Sequence, residues 1–256
     1  MGVTTQQASG EARSDGTLRV ALMQPYFFPY LGYFQLMHAV DCFVFYDDAQ
    51  FMKGGWVNRN RLLVDGRPGW WTFPVVHASH RLPICGREYR SAPAQTARLI
   101  AQVEHAYRLA PHFGSMFPRI AGYLGSPQSN VAAFNQAHLE SLARDMGLRC
   151  RFLASSELVP GTTLGGQAKV IEICRALGAT HYINSPGGQA LYDADVFADA
   201  GLQLGFLHPR PEPYPQFGQP HAASLSIVDA LMFNDPEHMR QLLRQYDLSE
   251  TSGTAS

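Results

Sequence analysis

The sequence predicts an α/β protein: a parallel or mixed sheet covered by helices on both faces, with a helical insertion. Three observations carry that expectation. Short apolar runs such as "LRVALM", "CFVF" and "LQLGFL" have the length and make-up of buried strands. Beyond residue 147, strand-like and helix-like segments alternate in the manner of β-α-β units. Between them, residues 91–147 read as helix almost throughout.

The elements follow in order. "LRVALM" is a buried strand ending before Pro25, "YFQLMHAV" a short helix, and "CFVFYDD" a second strand ending in acids. "WVNRNRLLV" alternates polar and apolar residues as a half-buried strand does, and "GRPG" is expected to turn the chain into a further strand, "WWTFPVV". The insertion opens on "SAPAQTARLIAQVEHAYRL", with an early proline. "APHFGSMFPRIAGYLG" looks helical but broken at Pro118, and "NVAAFNQAHLESLARDMG" starts on an Asn130 cap and stops at Gly147. Strand "CRFLA", helix "AKVIEICRALG", strand "HYINS", short helix "DADVFADAG" and strand "LQLGFL" come next. A helix pair broken at Asn234-Asp235-Pro236 closes the pattern. Residues 18–247 are expected to form one domain, with the insertion at about 91–147. Residues 1–17 and 248–256 are expected to be flexible ends, because they carry too little apolar surface to pack.

Composition narrows the function classes. The chain has 256 residues, is 46% hydrophobic and 16% charged, and carries a formal net charge of -1. That charge offers no general attraction for nucleic acid or anionic membrane, so neither is an expected partner. No apolar run approaches the roughly 20 residues of a membrane helix, and no secretory leader pattern opens the chain. Cys42, Cys85, Cys150 and Cys174 form no CxxC pair, so a zinc site or redox motif is not indicated. The expectation is a cytoplasmic protein with reduced thiols, no bound metal and no cofactor. Cys42 and Cys174 fall in apolar patterns, whereas Cys85 lies beside arginines that could lower its pKa.

Ligands of parallel α/β sheets bind beyond the carboxyl ends of the strands. Four unusual segments follow such ends: "QPYFFPYLGYF", "DDAQFMKGGWVNRNR", "NSPGGQALYD" and "PRPEPYPQFGQPHAASLS". In the first, Tyr26, Tyr30 and Tyr33 crowd beside Gln24 between two prolines. Their rings could cover the apolar faces of a ligand while their hydroxyls orient it. A rigid, aromatic-packed turn is the plainer reading. Asp47 and Asp48 are candidates for general-base work, for holding a divalent cation, or for an ion pair with Lys53, Arg59 or Arg61. Arg59 and Arg61, two apart on a strand, share a face suited to phosphate or carboxylate, and Lys53 could add a mobile charge. His77 and His80 are further base candidates after the "WWTFP" strand. Ser185 and Gly187 lie in a turn whose N–H groups could hold an anion, though a plain strand-to-helix turn fits as well. No dinucleotide fingerprint, triphosphate loop, nucleophile elbow or H-E-x-x-H is present.

"MQPYFFPYLGYFQLMHAVDCFVFYDDAQFMKGGWVNRNRLL", with "LGATHYINSPGGQALYD", "PYPQFG" and "LSIVDALMFN" downstream, closely resembles the WbqC-like family. Members occur in bacterial gene clusters for O-antigen and other surface polysaccharides and in natural-product clusters. The resemblance implies shared roles for Gln24, Pro25, Tyr26, Pro29, Gly32, Tyr33, Asp47, Asp48, Lys53, Trp56, Asn58, Arg59 and Arg61. Downstream it implies them for Tyr182, Gly187, Tyr214, Gln216, Ser226 and Asp229. Three function classes follow. The first is a transferase moving an acyl or aminoacyl group to an amine or hydroxyl. Its small-molecule substrate would be a phosphorylated sugar or a carrier-bound group, with a carrier protein as partner. Asp47, Asp48, His77 and Lys53 would be the catalytic candidates. The second is a non-catalytic module that binds a sugar nucleotide or carrier protein. The third is a degenerate nucleotidyltransferase, because the opening resembles such doubly wound folds. There, Tyr30 and Tyr33 replace the two histidines of P…H-x-G-H, and tyrosine supplies hydrogen bonds but no positive charge.

Overall fold

The computed structural model describes residues 16–217 and 220–251. In chain order the elements are β1 (Arg19–Met23), α1 (Leu31–Ala39), β2 (Cys42–Phe45), β3 (Arg59–Val64) and β4 (Arg67–Thr72). The insertion supplies α2 (Pro93–Tyr107), α3 (Phe113–Leu124) and α4 (Val131–Asp145). Then follow β5 (Arg151–Ala154), α5 (Ser155–Leu158), α6 (Gly166–Leu177), β6 (His181–Asn184), α7 (Ala194–Asp199) and β7 (Gln203–Pro209). The chain continues through α8 (Ile227–Phe233), α9 (Pro236–Leu242) and β8 (Tyr246–Glu250).

The main sheet has the order β5-β2-β1-β6-β7-β8, and β3 and β4 form a separate hairpin. All neighbours in the main sheet are parallel except β8, which runs antiparallel to β7. The sheet is therefore mixed and covered on both faces. Ala21, Phe43, Phe45, Ile183 and Leu207 face the layer that holds α1, the three insertion helices, α8 and α9. Val20, Leu22, Val44, Tyr182, Leu204 and Phe206 face the opposite layer with α6 and α7. Burying each large side chain contributes about 1.5–3 kcal/mol, which is why these strands lack a polar face.

Three local expectations are corrected. The hairpin turns at Asp65-Gly66, both at positive φ (50° and 72°), and not at "GRPG". A two-residue hairpin loop of that type needs positive φ at both positions, which Asp-Gly supplies. Pro68 then joins β4 opposite Leu63, whose N–H donates to the Tyr107 hydroxyl (3.0 Å). Second, α3 runs through Pro118. An interior proline costs about 3 kcal/mol, and the burial of Ile120 and Leu124 on that helix opposes the loss. Third, residues 248–250 belong to β8, where Leu248 pairs with Leu207 and packs partly into the core. The expectations for residues 1–15 and 252–256 lie outside the described residues. The break between α8 and α9 falls where the sequence put it, with Asp235 capping α9.

The order of strands sets the position of the site. β1 has β2 on one side and β6 on the other. The chain leaves β1 toward β2 and β5 on one side and then crosses from β5 to β6 on the other, which opens a crevice beyond the carboxyl ends of β1 and β6.

Candidate functional site

The turn after β1 forms one wall of that crevice and is heavily constrained. Phe28 sits at φ 41°, a left-handed conformation that costs a bulky residue on the order of 1–3 kcal/mol. Several groups hold it there. Its N–H donates to His138 Nε2 (3.2 Å), and its carbonyl accepts from Asn60 Nδ2 (2.7 Å) and Ser226 Oγ (2.8 Å). Its ring stacks on His138 at 4.1 Å. The Pro29 carbonyl accepts from the Ile227 N–H (2.8 Å), and the Phe27 N–H donates to the Trp56 carbonyl (3.0 Å). Because the Phe28 amide donates to Nε2, His138 must carry its proton on Nδ1, which donates to the Phe134 carbonyl (3.0 Å). Burial lowers the His138 pKa to about 3, so the ring is neutral across the physiological range. With Phe27 and Phe28 locked inward, Tyr26 and Tyr30 line the crevice.

That crevice holds a cavity of about 340 Å³ lined by Tyr26, Tyr30, Trp56, Arg61, Ser185 and Ser224, with Met23, Pro29 and Asn60 completing it. Arg61 extends from β3 with its guanidinium 5.8 Å from the Trp56 ring centre. One terminal nitrogen donates to the Ser224 carbonyl (3.2 Å), and Nε has no partner among the described residues. Burial raises the pKa of Tyr26, with a further contribution from Tyr30, and burial likewise raises that of Tyr30. Both therefore stay protonated donors at neutral pH. Three aromatic faces, four hydroxyls and one guanidinium suit a polyhydroxylated ligand carrying an anionic group. Among the described residues, no carboxylate, imidazole or thiol lines this cavity.

The acidic pair lies elsewhere, beyond β2 and β5. Asp47 accepts from the Ser156 N–H (3.0 Å), Ser156 Oγ (2.7 Å) and Ser155 Oγ (3.1 Å). Asp48 accepts from Ser155 Oγ and pairs with the buried Lys169 ammonium, which also sits 5.2 Å from the Tyr46 ring centre. The ion-pair partner is thus Lys169, not Lys53, Arg59 or Arg61. Cys85 borders this cluster. Its thiol pKa is raised, by burial first and then by Asp47 and Asp48, opposite to the lowering anticipated from neighbouring arginines. Cys42 and Cys174 are buried, as their apolar surroundings implied. Among the described residues, no group of three or more His, Cys, Asp or Glu side chains has the arrangement of a metal site.

The remaining candidates are dispersed. Tyr33 is buried and donates to the Gln24 carbonyl (2.8 Å), which braces the turn from behind. Gln24 itself is half-buried and does not line the cavity. Asn58 is buried and donates to the Phe73 carbonyl (2.9 Å). Arg59 folds back on the Gly54 and Gly55 carbonyls and stacks 4.1 Å from the Trp70 ring centre. Lys53 and His77 are exposed on loops away from the cavity lining. Tyr182 is fully buried on the far face of the sheet, its hydroxyl 3.2 Å from that of Tyr192. Gly187 is exposed. The close approach is at Gly188, where a Cβ would meet Asn184 Nδ2 at 2.5 Å. Tyr214 and Gln216 donate to Asp229 Oδ2 (2.8 and 2.6 Å), and Tyr107 donates to Oδ1 (3.0 Å). Asp229 thus anchors the loop after β7, and burial raises its pKa. Sequence reasoning missed Asn60 and His138. Asn60 hid in an alternating strand and His138 on a helix stripe. Ser224, at φ 55°, carries no sequence signal of its strained backbone.

The sequence pattern of the WbqC-like protein family matches residues 24–241. The chain belongs to that family. It is also 29% identical, over 237 residues, to the uncharacterized protein Rv1507c of Mycobacterium tuberculosis, an alignment covering 87% of this chain and 97% of the relative. No solved structure matches the chain significantly. The matched region spans β1's following turn through α9, so it includes every residue of the switch-point cavity except Met23. No helix among the described residues is long and apolar enough to cross a membrane.

Proposed function

We propose that this WbqC-like protein binds a phosphorylated or nucleotide-linked sugar in the switch-point cavity and presents it for acyl or aminoacyl transfer in the making of a surface polysaccharide or natural product. One observation carries the binding half: Arg61 stands among Tyr26, Tyr30 and Trp56 with only one of its two terminal nitrogens engaged by the described residues, in a cavity of a size fit for a sugar. Aromatic faces favour the C–H faces of a sugar ring, and a guanidinium favours phosphate. The transfer half is supported by the family's gene contexts. A non-catalytic binder is the second reading, favoured because the described residues put no carboxylate, imidazole or thiol in the cavity lining. In either case Asp47 and Asp48 belong to the framework, since Ser155, Ser156 and Lys169 already satisfy them.

The test is calorimetric titration with UDP- and dTDP-linked aminosugars and with the matching sugar 1-phosphates. Saturable binding lost in Arg61→Ala supports the proposal. Undiminished binding in Arg61→Ala, or none in the wild type, refutes it.

A further inference from the structure

A second chamber of about 340 Å³ adjoins the first, and Tyr30 and Ser224 line both. Its other wall is formed by described residues that follow β7, including Pro211, Pro213, Tyr214 and His221. Here lies the kind of group the first cavity lacks. His221 Nδ1 is 3.1 Å from the Tyr214 carbonyl. A carbonyl only accepts, so Nδ1 carries a proton, and the tautomer this contact selects has its lone pair on Nε2. No partner of Nε2 is found among the described residues, and His221 is half-buried.

The imidazole is also held in place. Its ring packs edge-on against Tyr214 (4.9 Å, 80°). Gln216 ties the loop to itself through the Ala222 carbonyl (3.2 Å) and N–H (2.8 Å), and to the buried Asp229 (2.6 Å). Asp229 in turn fixes the Tyr214 hydroxyl, so a backbone carbonyl orients the base and a buried carboxylate orients the loop. The charged groups at the chamber rim are Glu212 and Arg210, the latter paired with Asp247.

We propose that His221 is the general base of the transfer reaction and that the chamber it lines receives the activated acyl or aminoacyl donor, a thioester in class. This rests on the switch-point cavity holding the sugar acceptor. The acceptor's amine or hydroxyl attacks the donor carbonyl carbon, and His221 Nε2 takes the proton released as the new C–N or C–O bond forms. The C–S bond then breaks with its electron pair on sulfur. The imidazolium returns the proton to the thiolate, so the ring ends as it began and a thiol departs. Tyr30 and Ser224, common to both chambers, mark where the two substrates would meet.

The test mixes the full chain with a UDP-linked aminosugar and N-acetylcysteamine thioesters of acetyl and glycyl groups, with the product read by mass. His221→Gln and His221→Asn should lower turnover about 10²–10⁴-fold while leaving the UDP-aminosugar Kd within about twofold of wild type. Added imidazole should restore part of the rate, a rescue that a purely structural role would not give. Full turnover in both variants overturns the assignment, as does a wild type that binds the sugar nucleotide yet transfers nothing. A wild type that does not bind the sugar nucleotide instead overturns the acceptor site, and the base assignment falls with it.

Discussion

At the carboxyl ends of β1 and β6, polar side chains face an open crevice; at those of β2 and β5, they face one another. Both regions looked equally chemical in sequence, one rich in tyrosine and arginine, the other in acids. Around Asp47 and Asp48, two serine hydroxyls, a backbone N–H and a buried ammonium take up the carboxylate oxygens. Around Arg61, the Ser224 carbonyl engages one terminal nitrogen, and the described residues leave the other without a partner at the cavity. The difference teaches that a candidate residue is judged by what the rest of the chain supplies to it. Ser155 and Lys169 are more than 100 positions from the acids, so no local pattern announces the closure.

The comparison can be broken in several ways, the largest first. The crevice wall depends on one neutral imidazole. Unfolded histidine titrates near 6.5, and His138 in the fold near 3. Between those values the unfolded chain binds more protons, so stability is complete above about pH 6.5 and falls as pH drops toward 3. The loss attributable to His138 is on the order of 5 kcal/mol. Denaturant unfolding at pH 7, 5 and 4 reads it, and His138→Asn should flatten that part of the slope.

Next comes the closed region. Lys169→Met strips a buried partner from Asp48 and should destabilise the protein by about 3 kcal/mol. Binding of a UDP-linked aminosugar should not change. A variant that folds normally but loses the ligand would show that the acids serve the site. Smaller effects are expected at the open region. Arg61→Ala should weaken that ligand by about 1.5–3 kcal/mol, roughly 10–100-fold, with little change in melting temperature. Trp56→Ala should cost about 1 kcal/mol, a loss of roughly fivefold, because it removes one aromatic face and no charge.

The fold was largely legible because its signals are local. Apolar runs marked β1, β2 and β7, the alternation of strand-like and helix-like segments marked β5 and β6, and the Asn234-Asp235-Pro236 break marked the last two helices. The hairpin turn was misplaced because a proline-glycine pair drew notice from Asp65-Gly66, whose two positive φ angles the hairpin requires. Strand β8 was missed because Tyr246–Glu250 reads as polar, and only its pairing with β7 gives it form. Of the sequence candidates, Tyr26, Tyr30, Trp56, Arg61 and Ser185 line the cavity, and residue type together with a place after a strand end singled them out. Tyr33 and Tyr182 share that chemistry, yet the helix phase of one and the sheet face of the other bury them. His138 and Asn60 shape the crevice through contacts to the backbone of Phe28, and such contacts leave no trace in a single sequence.

The central claim is that ligand binds at the open switch point and not at the acidic pair. The most direct test is titration of a UDP-linked aminosugar into wild type, Arg61→Ala and Asp48→Asn, with all three confirmed folded. The account predicts saturable binding in the wild type and in Asp48→Asn, and its loss or at least tenfold weakening in Arg61→Ala. Binding kept by Arg61→Ala and abolished in Asp48→Asn would contradict it and move the site to the far side of β1.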